Sequence, residues 1–380
     1  MQRGNSFTFL RLTFALAVVF AHSFAVGGFG ADPLARFSSG AVNIGTIAVM
    51  CFFVVSGFLI TGSALRQPSL LQFGLNRVAR ILPGFWAVQL LTVFVLAPAI
   101  MLARDGHELG YWESINAGPN SAMSYLLLNA YFQIIQYPIT DLFLHNPVGS
   151  AVNGSLWSLA PEVICYVYLG LIALLGGLRW KFTGPVLFLV VYIYHNFALG
   201  RPELAIRVAD TLENGWIFNF EVPLIRSVFL AFLGGMSCYQ FRDALRWQGW
   251  MAVVAVLALA GSCWVGSFEF VWPFALPYLV LYLAHRLPFE RVERWGDFSY
   301  GIYIYAFPLQ QCLALAGWQR FGFLPFFGAS TILAVLAGVV SWFALERPIL
   351  QGARFFSRRW LVRTPVAPMM CRPELFPERN

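Results

Sequence analysis

The most constraining feature of this sequence is a series of long apolar runs that contain almost no charged residues. A helix that crosses a hydrocarbon core of about 30 Å needs about 20 mostly apolar residues. Such runs lie between Arg11 and Asp32, between Arg36 and Arg66, between Arg80 and Arg104, and at 156–177, 183–199, 223–240, 249–267, 270–285, 297–317 and 324–345. The sequence therefore predicts an all-α, polytopic integral membrane protein with about ten transmembrane helices.

The composition excludes an ordinary soluble domain. Charged residues make up 11% and hydrophobic residues 59% of the 380 residues, whereas a typical soluble domain is about 25% charged. Because so few charges cannot cover the surface of a globule, lipid must be the solvent for most of it. The net charge of +7 then reports orientation in the membrane, and we expect no nucleic-acid partner.

The distribution of basic residues predicts the orientation. If the N-terminus is cytoplasmic, the inner segments hold 19 of the 25 basic residues and the remainder of the chain holds six. This bias predicts that both termini are cytoplasmic. The apolar but short segment 122–136 is then interfacial or re-entrant, because a full span there would reverse every later segment. We assign 1–350 to the membrane domain and 351–380 to a disordered, basic cytoplasmic tail that lies on the inner leaflet.

The cysteines and histidines show no pattern that indicates a metal site or a disulfide framework. The six cysteines are scattered without a CxxC pair, and the five histidines include no HExxH pair. We therefore predict no metal cofactor. A signal peptide is the alternative interpretation of the N-terminus. It is disfavoured because the first apolar run contains an arginine and a histidine and lacks a convincing small-residue cleavage site.

Ionisable residues inside predicted membrane spans are costly and are functional candidates, and two of them, His22 and Glu162, stand out. Arg11 and His22 share a helix face, because eleven residues at about 100° each complete nearly whole turns. His22 then lies about 20 Å from the inner side and Glu162 about 9 Å from the outer side, at similar depth in a core of about 30 Å. We expect His22 to be a general base with Glu162 as its orienting partner.

Each of these two residues also has a purely structural interpretation. His22 alone would equally fit a core histidine that is bonded to a backbone carbonyl. Glu162 would fit a first-turn carboxylate, because Ser158 and Pro161 suit the start of a helix. The matched depth favours a functional role for the pair.

Two further segments carry polar or small residues. Arg77 and Arg80 are three residues apart, share a helix face and lie on the predicted inner side, where paired guanidinium groups suit a phosphate-bearing ligand. From spacing alone, ordinary anchoring of positive charge at the inner face is the favoured interpretation. Ser56 and Gly57 in the second span permit close helix approach or a kink.

Six motifs occur in chain order at the expected positions of the predicted topology. They are Arg11-x10-His22, the run Phe52–Thr61, Arg77-x-x-Arg80 before Ile81-Leu82-Pro83, the run Asn153–Glu162, the run Phe298–Tyr305, and Glu346-Arg347-Pro348. Together they resemble the acyltransferase-3 family of bacterial membrane acyltransferases over about residues 5–350. One departure is Ala306, where the family often carries a histidine.

The resemblance implies an acyl-CoA donor, usually acetyl-CoA, on the cytoplasmic side of the bacterial inner membrane. It implies an acceptor hydroxyl on a carbohydrate such as lipopolysaccharide, exopolysaccharide, peptidoglycan or a lipid-linked sugar. Arg77, Arg80 and Arg11 would hold the CoA phosphates. His22 would deprotonate the acceptor or carry the acyl group briefly, and Glu162 would orient His22 or bind the acceptor.

Four other motif residues are candidates for substrate binding. They are Trp157, which offers a stacking face for a sugar ring, together with Ser155, Ser56 and Tyr303. Transfer could finish in the membrane domain or on a separate glycan-assembly partner protein. The rival class is a non-catalytic exporter of an envelope glycan or lipid-linked sugar, since polar groups at the midplane also fit a transporter.

Overall fold

The computed structural model describes residues 5–67, 69–105, 109–201 and 223–356, and in these ranges every regular element is helical. The α-helices are α1 (Phe7–Val26), α2 (Pro33–Phe37), α3 (Ile44–Arg66), α4 (Leu70–Leu91), α5 (Ala97–Asp105), α6 (Leu109–Ser114), α7 (Ala122–Leu128), α8 (Leu159–Leu174), α9 (Thr183–Gly200), α10 (Pro223–Gln240), α11 (Gly249–Trp264), α12 (Phe268–Arg286), α13 (Ser299–Leu315), α14 (Phe323–Ser341) and α15 (Arg347–Phe356). The predicted all-α class is confirmed.

Seven helical segments in the described residues are long and apolar enough to cross a membrane. They are Phe7–Val26, Ile44–Arg66, Leu70–Arg104, Leu156–Leu174, Thr183–Gly200, Phe268–Arg286 and Phe323–Phe356. The other three predicted spans form α10, α11 and α13, with 18, 16 and 17 residues. The polytopic architecture is confirmed, although these three helices are shorter or less apolar than a full span.

Two of the helical segments are longer than the predicted spans, because α4 begins at Leu70, before Arg80, and α15 extends the last segment to Phe356. Each segment also contains a π-helical turn that joins two consecutive helices. Thr92–Leu96 connects α4 to α5, and Trp342–Glu346 connects α14 to α15. Helix α15 continues to Phe356, so the first residues of the predicted disordered tail are helical and the boundary at 350 falls inside a helix. The rest of the predicted tail, 357–380, lies outside the described residues.

The segment 122–136 does not form a helical span. Helix α7 has seven residues and ends at Leu128. Asn129 then fixes the following chain, because its amide group donates to the carbonyl of Gln136 and its Oδ1 accepts from the amides of Ile135 and Gln136. This outcome agrees with the prediction that the segment does not cross the bundle.

The closest helix contact is made by α3 and α10 through glycines. A Cβ atom added at Gly57 would lie 1.9 Å from the carbonyl oxygen of Phe232, and one added at Gly235 would lie 2.0 Å from that of Val54. No side chain fits at either position. The structural interpretation of the small residues in the second span, close helix approach, is confirmed.

Segments that the sequence assigns to the cytoplasm meet at one end of the bundle, where α1 begins. Asn5, Gln67, Asn76, Glu293 and Leu350 all line one cavity there. The membrane face that this end occupies is a prediction from the basic residues.

Reporter fusions test this orientation. A fusion after Arg201 and a fusion at the C-terminus, Asn380, should report opposite sides of the membrane, with the C-terminal fusion in the cytoplasm. A fusion after Asp32, in the loop that follows α1, is the control and should match the Arg201 fusion. The same side for Arg201 and Asn380 would contradict the orientation.

Candidate active site

A cavity of about 750 Å³, here called the large cavity, opens at the end of the bundle where α1 begins. Side chains from α1, α3, α4, α8, α13 and α15 line it. Six of the predicted site residues face it, namely Arg11, Ser56, Arg77, Arg80, Glu162 and Tyr303. Residues that are up to 292 positions apart in sequence therefore share one polar interior space.

A second cavity of about 330 Å³, here called the small cavity, lies toward the opposite end of the bundle. It is bounded by the last turns of α1, by α2 and by the start of α3. His22, Trp157 and Tyr303 line it, together with the loop residues Asp32 and Asn43. The predicted catalytic histidine thus lies in a different cavity from the predicted donor-binding arginines.

Two of the arginines in the large cavity are already paired with carboxylates. Asp297, just before α13, lies 2.9 Å from the Arg11 guanidinium and 2.8 Å from that of Arg80. Arg80 also lies 3.4 Å from Glu346, whose side chain is only 1% exposed. This network ties α1, α4, the loop before α13 and the turn after α14 together.

Asp297 is held in its charged form by this network. Burial opposes the charged form of Asp297, but the guanidinium groups of Arg11 and Arg80 and a hydrogen bond from Ser299 together place its pKa below the ordinary value. Because Asp297 stays charged, it keeps the Arg80 guanidinium in an ion pair, so the first role of Arg80 is structural.

Arg77 differs from Arg80, although both line the same cavity. Within the described residues Arg77 forms no ion pair, and its buried Nε has no hydrogen-bond partner. The guanidinium lies 6.0 Å from the Phe73 ring and 5.9 Å from the Tyr166 ring. Aromatic faces position this cation without neutralising it, so its charge is available to an anionic ligand.

Glu162 does not contact His22. Its carboxylate accepts a short hydrogen bond from the Tyr166 hydroxyl and another, at 3.3 Å, from Ser56 Oγ. The expected pairing with His22 is therefore not formed in the structure. The predicted matched depth is also wrong, because the turn of α1 that carries His22 packs against Gly45 on α3, whereas Glu162 bonds Ser56 eleven residues further along the same helix, about 16 Å at 1.5 Å per residue. The Glu162 side chain lines the large cavity.

His22 presents a ring nitrogen that nothing satisfies. Its Nδ1 is buried without a hydrogen-bond partner among the described residues, and its ring packs edge-on against Phe307 at 5.0 Å. A purely structural core histidine would bond that nitrogen to a carbonyl. An unpartnered imidazole nitrogen beside a cavity is instead suited to accept a proton or bind a ligand.

The four predicted substrate-binding residues lie in four different places. Trp157 lines the small cavity, Ser56 lines the large cavity, and Tyr303 lines both. Ser155 is fully buried outside both lining sets, and its backbone amide donates to Asn153 Oδ1 at 3.1 Å. Ser155 therefore shapes the turn before α8.

The departure at Ala306 does not open a gap in either cavity. Ala306 is 1% exposed and belongs to a cluster of buried residues with Ala15, Val19 and Ala334. Its position on α13 faces α1 and α14. A small side chain there allows these three helices to pack closely.

Four residues at the large cavity were not assigned a role from sequence. Asp297 and Glu346 hold Arg80, Tyr166 holds Glu162, and Arg354 on α15 is exposed at the cavity mouth without an ion pair to any described residue. Asp297 and Glu346 could have been singled out from the sequence, because each acidic residue lies at the end of an apolar run on the predicted inner side.

The fold and site define a polytopic helical membrane protein with an arginine-lined cavity at one end and a histidine-lined cavity at the other. A family model described as an acyltransferase domain, of the acyltransferase-3 family, matches residues 5–343. The chain therefore belongs to the acyltransferase-3 family.

Characterised relatives cover nearly the whole chain. An O-acetyl transferase of Shigella phage Sf6 is 25% identical over 363 residues, which is 92% of this chain and 97% of the relative. Nodulation protein 10 of Rhizobium leguminosarum is 26% identical over 360 residues, or 91% and 93% of the two chains. No solved structure is significantly similar. These comparisons confirm the prediction of a membrane O-acyltransferase and disfavour the exporter interpretation.

Proposed function

We propose that this protein transfers an acetyl group from acetyl-CoA to a hydroxyl group of an envelope carbohydrate at the bacterial inner membrane. The observation that carries the proposal is the placement of an unpaired cation, Arg77, in one cavity and an unsatisfied histidine, His22, in a neighbouring one. Donor and acceptor would each enter through one cavity, and the acyl group would pass between them.

The large cavity suits the donor. Its volume of about 750 Å³ lies within the usual range of about 300–1,000 Å³ for ligand pockets. CoA carries phosphate groups, which guanidinium groups bind by charge-assisted hydrogen bonds. Arg77 inside the cavity and Arg354 at its mouth are free for this role, while Arg80 and Arg11 support the same positive field from within the ion-pair network.

The small cavity suits the acceptor. Trp157 offers an aromatic face against which a sugar ring can pack, and the cavity opens at the end of the bundle opposite to the arginines. Lipopolysaccharide, exopolysaccharide, peptidoglycan and lipid-linked sugars all present such hydroxyl groups. The name of the phage relative, an O-acetyl transferase, supports acetyl as the transferred group.

In this proposal His22 performs the proton transfer. As a general base it removes the proton of the acceptor hydroxyl while the oxygen attacks the thioester carbonyl. The carbon–sulfur bond breaks, an ester forms, and the CoA thiolate leaves and takes up the proton. In the alternative route the imidazole nitrogen attacks first and carries the acyl group until the hydroxyl displaces it.

A transfer assay tests the proposed function directly. Purified protein should move labelled acetyl from acetyl-CoA to a membrane saccharide fraction, and a deletion strain should lose acetyl groups from an envelope glycan by mass spectrometry while the glycan itself is retained. An exporter would give the opposite pattern, in which the glycan disappears from the outer side with its acetylation unchanged.

Replacing Arg77 by alanine should weaken acetyl-CoA binding by roughly tenfold to a hundredfold, because one charge-assisted contact contributes about 1.5–3 kcal/mol. The difference from wild type should narrow as ionic strength rises, since salt screens the contact. Isothermal titration with acetyl-CoA in detergent measures the affinity.

Arg242→Ala is the matched control for Arg77→Ala. Arg242 lies at the same end of the bundle but outside both cavities and pairs with Asp243 at 3.6 Å. Its loss removes one positive charge without touching the donor path. Equal affinities for all three proteins would show that Arg77 only anchors the inner face.

A further inference from the structure

We propose that the wall between the two cavities selects the acyl group by size, so that an acetyl group passes toward His22 and longer acyl groups are rejected. This inference rests on the proposed acyl transfer and names its specificity-determining residues. The wall consists of Val49 on α3, Tyr303 on α13 and the turn Trp157–Ser158 before α8. It is called the dividing wall below.

The dividing wall is one side chain thick. Val49 and Tyr303 each line both cavities, and they are only 5% and 7% exposed. The two consecutive residues of the turn face opposite ways, since Trp157 lines the small cavity and Ser158 the large one. The space on each side therefore ends at the same few atoms.

A hydrogen bond holds the dividing wall in place. The Tyr303 hydroxyl lies 2.7 Å from Ser158 Oγ, and both side chains are buried. The Tyr303 ring also packs edge-on against Phe52 with ring centroids 5.9 Å apart. This hydrogen bond, called the latch below, acts together with the aromatic contact and restricts the Tyr303 side chain more than apolar packing alone would.

The positions of the charges explain why the acyl group alone meets the wall. Arg77 and Arg354, which form no ion pair with any described residue, lie on the large-cavity side, so in the proposed reaction the anionic body of the donor is held there. His22 lies on the other side. Only the small uncharged end of the donor has to approach the wall, and close-packed side chains leave little room for additional methylene groups.

The size of the effect follows from apolar discrimination in other binding sites. One extra methylene in a tight apolar pocket typically changes discrimination by about 10- to 200-fold. Shortening Val49 removes two methyl groups from the wall. Val49→Ala should therefore raise the ratio of butyryl to acetyl transfer by about tenfold or more, and Tyr303→Phe, which breaks the latch, should raise it in the same direction.

The experiment compares initial rates of transfer from acetyl-, propionyl- and butyryl-CoA for purified wild type and variants. Val54→Ala is the matched control, because Val54 lies on the same helix, is fully buried and lines neither cavity. It should keep the wild-type ratio. Val49→Ile tests the opposite direction: acetyl transfer should slow while acetyl-CoA affinity stays unchanged.

The outcomes separate this inference from the proposed function. If wild type transfers acetyl and Val49→Ala and Tyr303→Phe keep its chain-length profile, the dividing wall does not select the acyl group. An equal change in Val54→Ala would attribute the effect to general loosening and would also overturn the inference. Absence of transfer from any acyl-CoA by folded wild type would overturn the proposed function itself.

Discussion

His22→Ala should reduce acyl transfer by about 10²–10⁴-fold, the usual cost of losing a general base. The protein should still insert and fold, because alanine removes a polar group from an apolar helix and leaves no partner unsatisfied within the described residues. The measurement is acetyl transfer by detergent-purified protein that elutes as a single species. Activity equal to wild type would show that the catalytic centre lies elsewhere.

Glu162→Gln is the informative companion to His22→Ala. Glu162 accepts hydrogen bonds from Tyr166 and Ser56 in the large cavity. Its change to an amide should therefore mainly alter the binding of acetyl-CoA, and the pH dependence of acceptor attack should still follow His22.

Rapid quenching of wild type with labelled acetyl-CoA and no acceptor separates the general-base route from the route through an acyl-histidine. If wild type becomes labelled and His22→Ala does not, the reaction passes through an acyl-histidine intermediate.

Arg80→Ala should destabilise the fold by about 3–5 kcal/mol, the typical cost of removing one partner of a buried ion pair. The substitution leaves Glu346, 1% exposed, without its cation and removes one of the two guanidinium groups on Asp297. A clear fall in the thermal unfolding midpoint in detergent is the expected result. Arg77→Ala is the control. Because Arg77 forms no ion pair with a described carboxylate, this variant should unfold near the wild-type temperature.

The same network predicts the direction of the pH dependence. Because the folded-state pKa of Asp297 is lowered, its contribution to stability is complete above the unfolded value of about 3.9 and is lost as the pH falls through the folded value. Wild type should therefore lose more stability on acidification than Asp297→Asn.

One outcome would contradict the structural role of Arg80. If Arg80→Ala keeps the wild-type thermal unfolding midpoint but binds acetyl-CoA more weakly, Arg80 contacts the donor, as the Arg77-x-x-Arg80 motif suggested.

Much of the fold could be predicted from the sequence because lipid imposes a simple rule on composition. Long runs with few charges predict helices of about 20 residues, and the predicted limits of α9, α10 and α13 lie within two residues of the observed ones. The limits of α1 and α3 were less accurate, because charged residues mark only the breaks between runs: α1 begins at Phe7, before Arg11, and α3 begins at Ile44, well after Arg36.

The candidate site was only partly predictable. Residue number placed His22 and Glu162 at one level, but the way in which α1 and α8 pack against α3 decides the actual level of each side chain and the cavity that it faces. The roles of Arg77 and Arg80 diverge for a similar reason. The sequence motif does not distinguish the two arginines. Asp297 and Glu346, which are distant in sequence, pair with Arg80 and give it a structural role, whereas no described carboxylate pairs with Arg77.

The dividing wall also bears on the electrical integrity of the membrane. Val49 and Tyr303 separate a cavity that opens at one end of the bundle from a cavity that opens at the other, so in the described part of the protein the two cavities do not join into an open channel that a column of water would fill. Protons and ions move along such columns. Under the proposed transfer, an enzyme built in this way would relay an acyl group between the two cavities without conducting current, and the membrane that holds it would keep its ion gradients.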